Sequence, residues 1–168
     1  MKYIYLLVIV AIAFSSCEKD DICDATIPTT PRVIIDFYDA TNPTVLKNVV
    51  NLKVIGDGLA DEDDLGTFNS VSTIKLPLKT TLNSTKYRLI LNSTSTTSIN
   101  EDLLQFDYSR EDVFVSRACG YKTIFELNSP DGVTQTDPTL ADGFWIQEYT
   151  IETTNIDNEN ETHIKIYF

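Results

Sequence analysis

The side chains able to do chemistry are few: three cysteines at positions 17, 23 and 119, one histidine, His163, and a run of carboxylates within 57–64. That run holds Asp57, Asp61, Glu62, Asp63 and Asp64, oxygen ligands of the kind calcium prefers. Its spacing is not the alternating Asp-x-Asp-x-Asp-Gly series of an EF-hand loop, and no Glu follows at the required distance, so a solvated acidic loop is the favoured reading. Zinc held by Cys23, Cys119 and His163 lacks any recognisable ligand spacing. A single histidine limits hydrolytic chemistry, and there is no Gly-x-Ser-x-Gly elbow. In the run 162–168, His163 alternates with Ile164 and Ile166, which places it on the opposite face, toward solvent. The remaining acids are scattered in turns, as solubility alone would place them, with no signal for the paired carboxylates of glycosidic cleavage. The sequence therefore assigns no catalytic, metal or cofactor-binding residue.

The N-terminal residues carry an address. Lys2 precedes an apolar run over 4–14, the form of a secretory signal peptide. At about 11 residues the run is too short for a hydrocarbon layer that needs roughly 20 helical residues. Its exit, Ser15-Ser16-Cys17, resembles the lipobox of bacterial lipoproteins, with Phe14 where that family usually has Leu. The resemblance implies that 1–16 is removed and that Cys17 becomes the first mature residue. It would carry a thioether-linked diacylglycerol and an amide-linked acyl chain, and two or more chains hold a membrane stably where one does not. The alternative is an ordinary signal peptide with Cys17 as a plain thiol. The cluster Glu18-Lys19-Asp20-Asp21 looks like the signal that sends lipoproteins of the Bacteroidota to the outer face of the outer membrane; the alternative is a solvated tether.

With Cys17 lipidated, Cys23 and Cys119 form an even pair in an oxidising compartment where disulfides persist. Their bridge would close a loop of about 100 residues, for which chain entropy gives about 4.7 kcal/mol. Two buried free thiols are the other possibility. With Cys23 fixed, the free tether from Cys17 is about six residues and reaches at most roughly 20 Å.

Composition narrows the partners. The net charge is −12, with 13 Lys and Arg against 25 Asp and Glu, and becomes −13 without Lys2. Such acidity argues against nucleic acid, whose phosphates are bound mainly by Lys and Arg, and against electrostatic docking on anionic lipid. Asn83-Ser84-Thr85, Asn92-Ser93-Thr94 and Asn160-Glu161-Thr162 match the N-glycosylation sequon, matches that a bacterial lipobox makes accidental.

A short acidic tether over 17–31 leads into a single domain over 32–168. Strands are expected over 32–38, 49–55 with Val50, Leu52 and Val54 inward, and 71–78 with Ile74, Leu76 and Leu78 inward. Pro77 puts the last of these at an edge or bulge. It should form a hairpin with 87–91. The runs 103–108, 113–115 and 121–127 read as three strands separated by a charged turn at 109–112 and by Gly120, with Tyr121, Phe125 and Leu127 on one face. The stretch 128–143 reads as a long loop. Strands over 144–154 and 162–168 follow. Trp145 reads as core, with an aromatic platform of Tyr121, Phe144, Trp145 and Tyr149 as the alternative. Eight or nine strands without a 3.6-residue period indicate an all-β, antiparallel, immunoglobulin-like β-sandwich, with a lipocalin-like β-barrel second.

Cys17-Glu-Lys-Asp-Asp-Ile-Cys23, Pro31-Arg-Val-Ile-Ile-Asp-Phe-Tyr38, Val115-Ser-Arg-Ala-Cys-Gly-Tyr121 and Ile164-Lys-Ile-Tyr-Phe168 together resemble a family of small Bacteroidota lipoproteins known only as a domain of unknown function. The resemblance implies the lipoprotein class and no activity. The expectation is a non-catalytic, surface-exposed lipoprotein, held in the membrane by its lipid and contacting an envelope protein or an extracellular ligand. Alternatives are a structural subunit of an outer-membrane assembly and a small hydrolase acting on glycan or lipid.

Overall fold

Strand side chains point alternately to opposite faces, so a period-two apolar pattern buries one face of each strand against a second sheet. The computed structural model describes residues 22–27, 29–58, 64–138 and 142–168. The expected signal segment 1–16, Cys17, the cluster at 18–21 and the carboxylates Asp61, Glu62 and Asp63 lie outside the described residues.

Two sheets hold twelve strands among those residues. The first runs β10 (Glu148–Ile151), β12 (Ile164–Tyr167), β1 (Val33–Asp39) and β2 (Asn42–Leu46), with β5 (Thr73–Leu76) also paired to β1. The second runs β11 (Asn155–Ile156), β8 (Gly120–Leu127), β7 (Asn100–Ser116), β6 (Ser84–Leu91), β3 (Leu52–Gly56) and β4 (Gly66–Phe68), with β9 (Val133–Thr136) also on β7. The core lies between them. Val33, Ile35, Phe37, Ile74, Leu76, Ile164 and Ile166 of one sheet face Leu52, Val54, Leu89, Leu104, Phe106, Tyr108, Phe125 and Leu127 of the other. The architecture is thus the expected all-β sandwich, and neither sheet closes into a barrel. Among the described residues no helix is long and apolar enough to cross a membrane.

One pairing departs from the antiparallel expectation: β1 and β12 run parallel, with Ile35 opposite Ile164 and Phe37 opposite Ile166. Parallel neighbours need a crossover connection, and here it is supplied by nearly the whole domain. The additional strands are short ones, such as β2, β4, β9 and β11, that fall in stretches rich in turn residues.

Several local expectations are corrected. Val50 is exposed and Val49 buried, because Asn51 has a φ of 47° and resets the alternation before Leu52; Asn is among the few side chains that tolerate this region. The 71–78 and 87–91 strands do not form a hairpin. Leu76, Leu78 and Ile74 are inward as expected, but β5 pairs only with β1, while β6 pairs with β3 and β7 in the other sheet. The ladder stops before Pro77, and the chain then crosses between sheets. Tyr87 donates its hydroxyl to Pro77 O, and Tyr108 donates to Lys79 O at 2.9 Å, so the crossing is held by two core tyrosines. There is no turn at 109–112. β7 continues through it for 17 residues and pairs with β8 as far as Ser116, making two strands where three are expected. The charges are tolerated because this half of the ribbon extends beyond the covering sheet, leaving Tyr121 and Phe114 exposed although Phe125 and Leu127 are buried. The 128–143 stretch contains β9, whose Val133 is buried opposite Phe106.

Candidate functional site

Cys23 and Cys119 are bonded, with their sulfurs 2.01 Å apart and a sequence separation of 96. Cys119 sits in the tight turn between β7 and β8, where its backbone N–H donates to Ser116 Oγ at 3.0 Å and Gly120 takes a φ of 70°. The N-terminal segment is thereby stapled to the tip of the longest hairpin. It is held again where Thr123 N–H donates to Thr30 Oγ1 at 3.0 Å. The tip also carries Phe114 and Tyr121, edge to face at 5.4 Å between ring centroids and both mostly exposed.

Between the stapled segment and the main body lies a groove of 690 Å³, lined by Thr26, Thr30, Arg32, Leu78, Asp157 and Asn160 among others. Its charged wall is Glu159. Both oxygens accept from the Arg32 guanidinium, at 2.8 and 2.9 Å, and Lys75 Nζ donates at 3.0 Å. This bidentate grip, the strong form of a carboxylate contact, holds the Glu159 carboxyl down at about 2.

His163 is fully buried rather than solvent-facing. At the start of the parallel ladder the N–H of Ile34 needs an acceptor, and His163 Nδ1 supplies it at 2.8 Å while His163 N–H donates to Ile34 O. Burial lowers the imidazole pKa, against the weaker upward pull of Glu161, Asp157 and Glu159. A protonated ring would carry a donor at Nδ1 and break this contact. Its folded pKa lies below the unfolded value near 6.5, so the unfolded chain takes up protons first and stability falls as pH drops below about 6.5, by at most about 1.4 kcal/mol per unit. Comparing urea midpoints of the wild type and His163→Asn from pH 7.5 to 5 is expected to show the wild type losing stability relative to the variant as pH falls, the buried Asp102 acting in the opposite sense on both alike. Parallel curves would refute the role.

The acidic loop does not act as a unit at its described ends. Asp57 pairs with Lys86 at 3.5 Å, and Asp64 pairs with Lys53 at 3.4 Å while accepting from Gly66 N–H. The aromatic platform is not assembled: Trp145 is buried and donates Nε1–H to Leu89 O at 3.0 Å, Phe144 is exposed, and Tyr121 stands at the hairpin tip beside Phe114. A residue that alternation alone could have found is Asp102. It is in phase with Leu104, Phe106 and Tyr108 and is fully buried with them. Desolvation pushes its carboxyl up to about 6, against the hydrogen bonds from Ile146 N–H and Gln135.

A model of a family described as of unknown function (DUF6452) covers residues 51–168. No curated protein and no solved structure matches.

Proposed function

The chain belongs to this family of unknown function, and from that premise we propose that it is a lipid-anchored protein of the cell envelope with a non-catalytic binding or structural role. The observation that supports this most is the Cys23–Cys119 bridge lying six residues beyond Ser15-Ser16-Cys17. A disulfide suits an exported chain, and one so near the lipobox cysteine leaves a tether of at most roughly 20 Å. Acyl chains on Cys17 would hold the domain close to the lipid, with the hairpin tip on the membrane side. Glu18-Lys19-Asp20-Asp21 favours the outer membrane of a Bacteroidota cell and exposure at its surface. There the sandwich would contact an envelope protein or an extracellular ligand.

Fractionation of cells expressing Cys17→Ala tests the anchor. The variant is expected to move from the membrane pellet to the soluble fraction, and an unchanged membrane fraction would sink the reading. Protease shaving of intact cells tests surface exposure.

The exposed Phe114–Tyr121 pair favours a second reading, a subunit of an outer-membrane assembly, since adjoining exposed aromatic side chains mark interaction surfaces. Crosslinking in intact cells followed by purification without any partner would count against it. The hydrolase alternative gains no base from His163, which is buried with Nδ1 engaged.

A further inference from the structure

We propose that Asn100, Asp102 and Asp137 form a calcium-binding site where β7 and β9 meet the 142–147 segment. Each presents a buried oxygen that accepts no hydrogen bond, Asn100 Oδ1, Asp102 Oδ1 and Asp137 Oδ1, with the Trp145 backbone N–H also close to the Asp102 carboxylate. Their other polar atoms are used, which fixes the side chains. Asp102, fully buried, accepts through Oδ2 from Ile146 N–H at 2.8 Å and from Gln135 Nε2 at 3.1 Å. Asn100 Nδ2 donates to Gly143 O at 2.7 Å, and Gly143 N–H donates to Asp137 Oδ2 at 3.3 Å, so the amide and the carboxylate hold the same glycine.

Three observations bring the groups together. Asn100 and Asp102 lie two apart on one face of β7, Asp137 directly follows Thr136, the β9 residue opposite Leu103, and the charge of Asp137 acts on the Asp102 carboxylate. A buried acceptor without a donor costs about 1–3 kcal/mol, more when charged, and two carboxylates at one place repel. A proton relieves one oxygen at most. A cation serves all three.

Calcium fits the donor set: it takes six to eight oxygens, mixing carboxylate and amide ligands with water in flexible geometry, whereas magnesium demands a near-ideal octahedron. Among the described residues no three His, Cys, Asp or Glu side chains gather into a metal group, so the Asn100 amide is what makes the third ligand. Two carboxylates place the affinity in the weak range of extracellular modules, about 0.1–1 mM.

The test is a calcium titration of the full chain in detergent at pH 7.4, read by equilibrium dialysis, thermal midpoint and emission of Trp145, the neighbour of Ile146. One calcium per chain is expected, with a rise in melting temperature that equal magnesium does not give. Asp137→Asn should weaken binding by about tenfold, and Asn100→Ala, which removes an oxygen ligand, should weaken it by a similar factor. Three outcomes overturn the proposal: no calcium bound at about 10 mM, well above the expected range; binding that neither substitution changes, which would put the ion elsewhere; or a thermal midpoint that rises on acidification alone and is indifferent to calcium.

Discussion

Replacing Cys23 and Cys119 by serine is expected to lower the stability of the domain by about 2–5 kcal/mol. The bridge closes 96 residues of separation, and the unfolded chain regains most of that loop's freedom when it is cut. A single domain of this size is stable by only about 5–15 kcal/mol, so the loss is a large share of the whole. Denaturant unfolding, read through the buried Trp145 with and without reductant, measures it. A midpoint unmoved by reduction would show that the staple contributes nothing to the fold. The same variant has a second readout. Without Cys23, the first described attachment of the N-terminal segment to the body is Thr30 to Thr123, and the reach from Cys17 grows to roughly 45 Å. Cleavage within 24–29 by added protease should become faster.

Phe37→Ala should cost about 3–5 kcal/mol, the range for removing a fully buried aromatic ring. Phe37 is at zero exposure in the middle of β1, 6.4 Å from the Trp145 ring and 6.0 Å, edge to face, from Phe168. Trp145 and Phe168 also meet edge to face at 5.6 Å. The three rings join the first strand, the segment entering β10 and the C-terminal residue. Truncating the central one leaves a cavity that the other two cannot fill without abandoning their own contacts. Trp145 emission should shift to the red as water enters. A loss below about 1 kcal/mol would mean that the rings collapse together, which would contradict the close-packed interior expected of a sandwich.

The alternation rule read the core where strands are regular. Ile74, Leu76 and Leu78, then Leu104, Phe106 and Tyr108, then Ile164 and Ile166 are all buried as their spacing predicts. It failed where the backbone breaks period. Asn51 inverts the order of Val49 and Val50 through one left-handed residue, and Pro77 marks a change of sheet where a hairpin looked natural. His163 obeys the period yet is buried where Lys165 and Tyr167 on the same face are not, because its ring completes the first rung of a parallel ladder. Parallel pairing of the first and last strands has no local signature. The charged stretch at 109–112 looked like a turn because polar residues in a ribbon with both faces wet carry no strand pattern. At the candidate sites, the pairing of Cys23 with Cys119 was legible from counting cysteines. The Glu159 clamp and the Asn100, Asp102 and Asp137 group depend on which distant segments the fold sets side by side, which spacing does not encode.

The parallel contact between β1 and β12 carries a consequence for how the molecule comes into being. Ile35 must wait for Ile164, so the first sheet stays open along that edge of β1 until the final strand is available. Contacts this distant in sequence demand a large loss of chain entropy before they return anything, and domains dominated by them fold slowly. A growing chain would therefore leave this edge of β1 open until β12 emerges, and only then would the first sheet close along it.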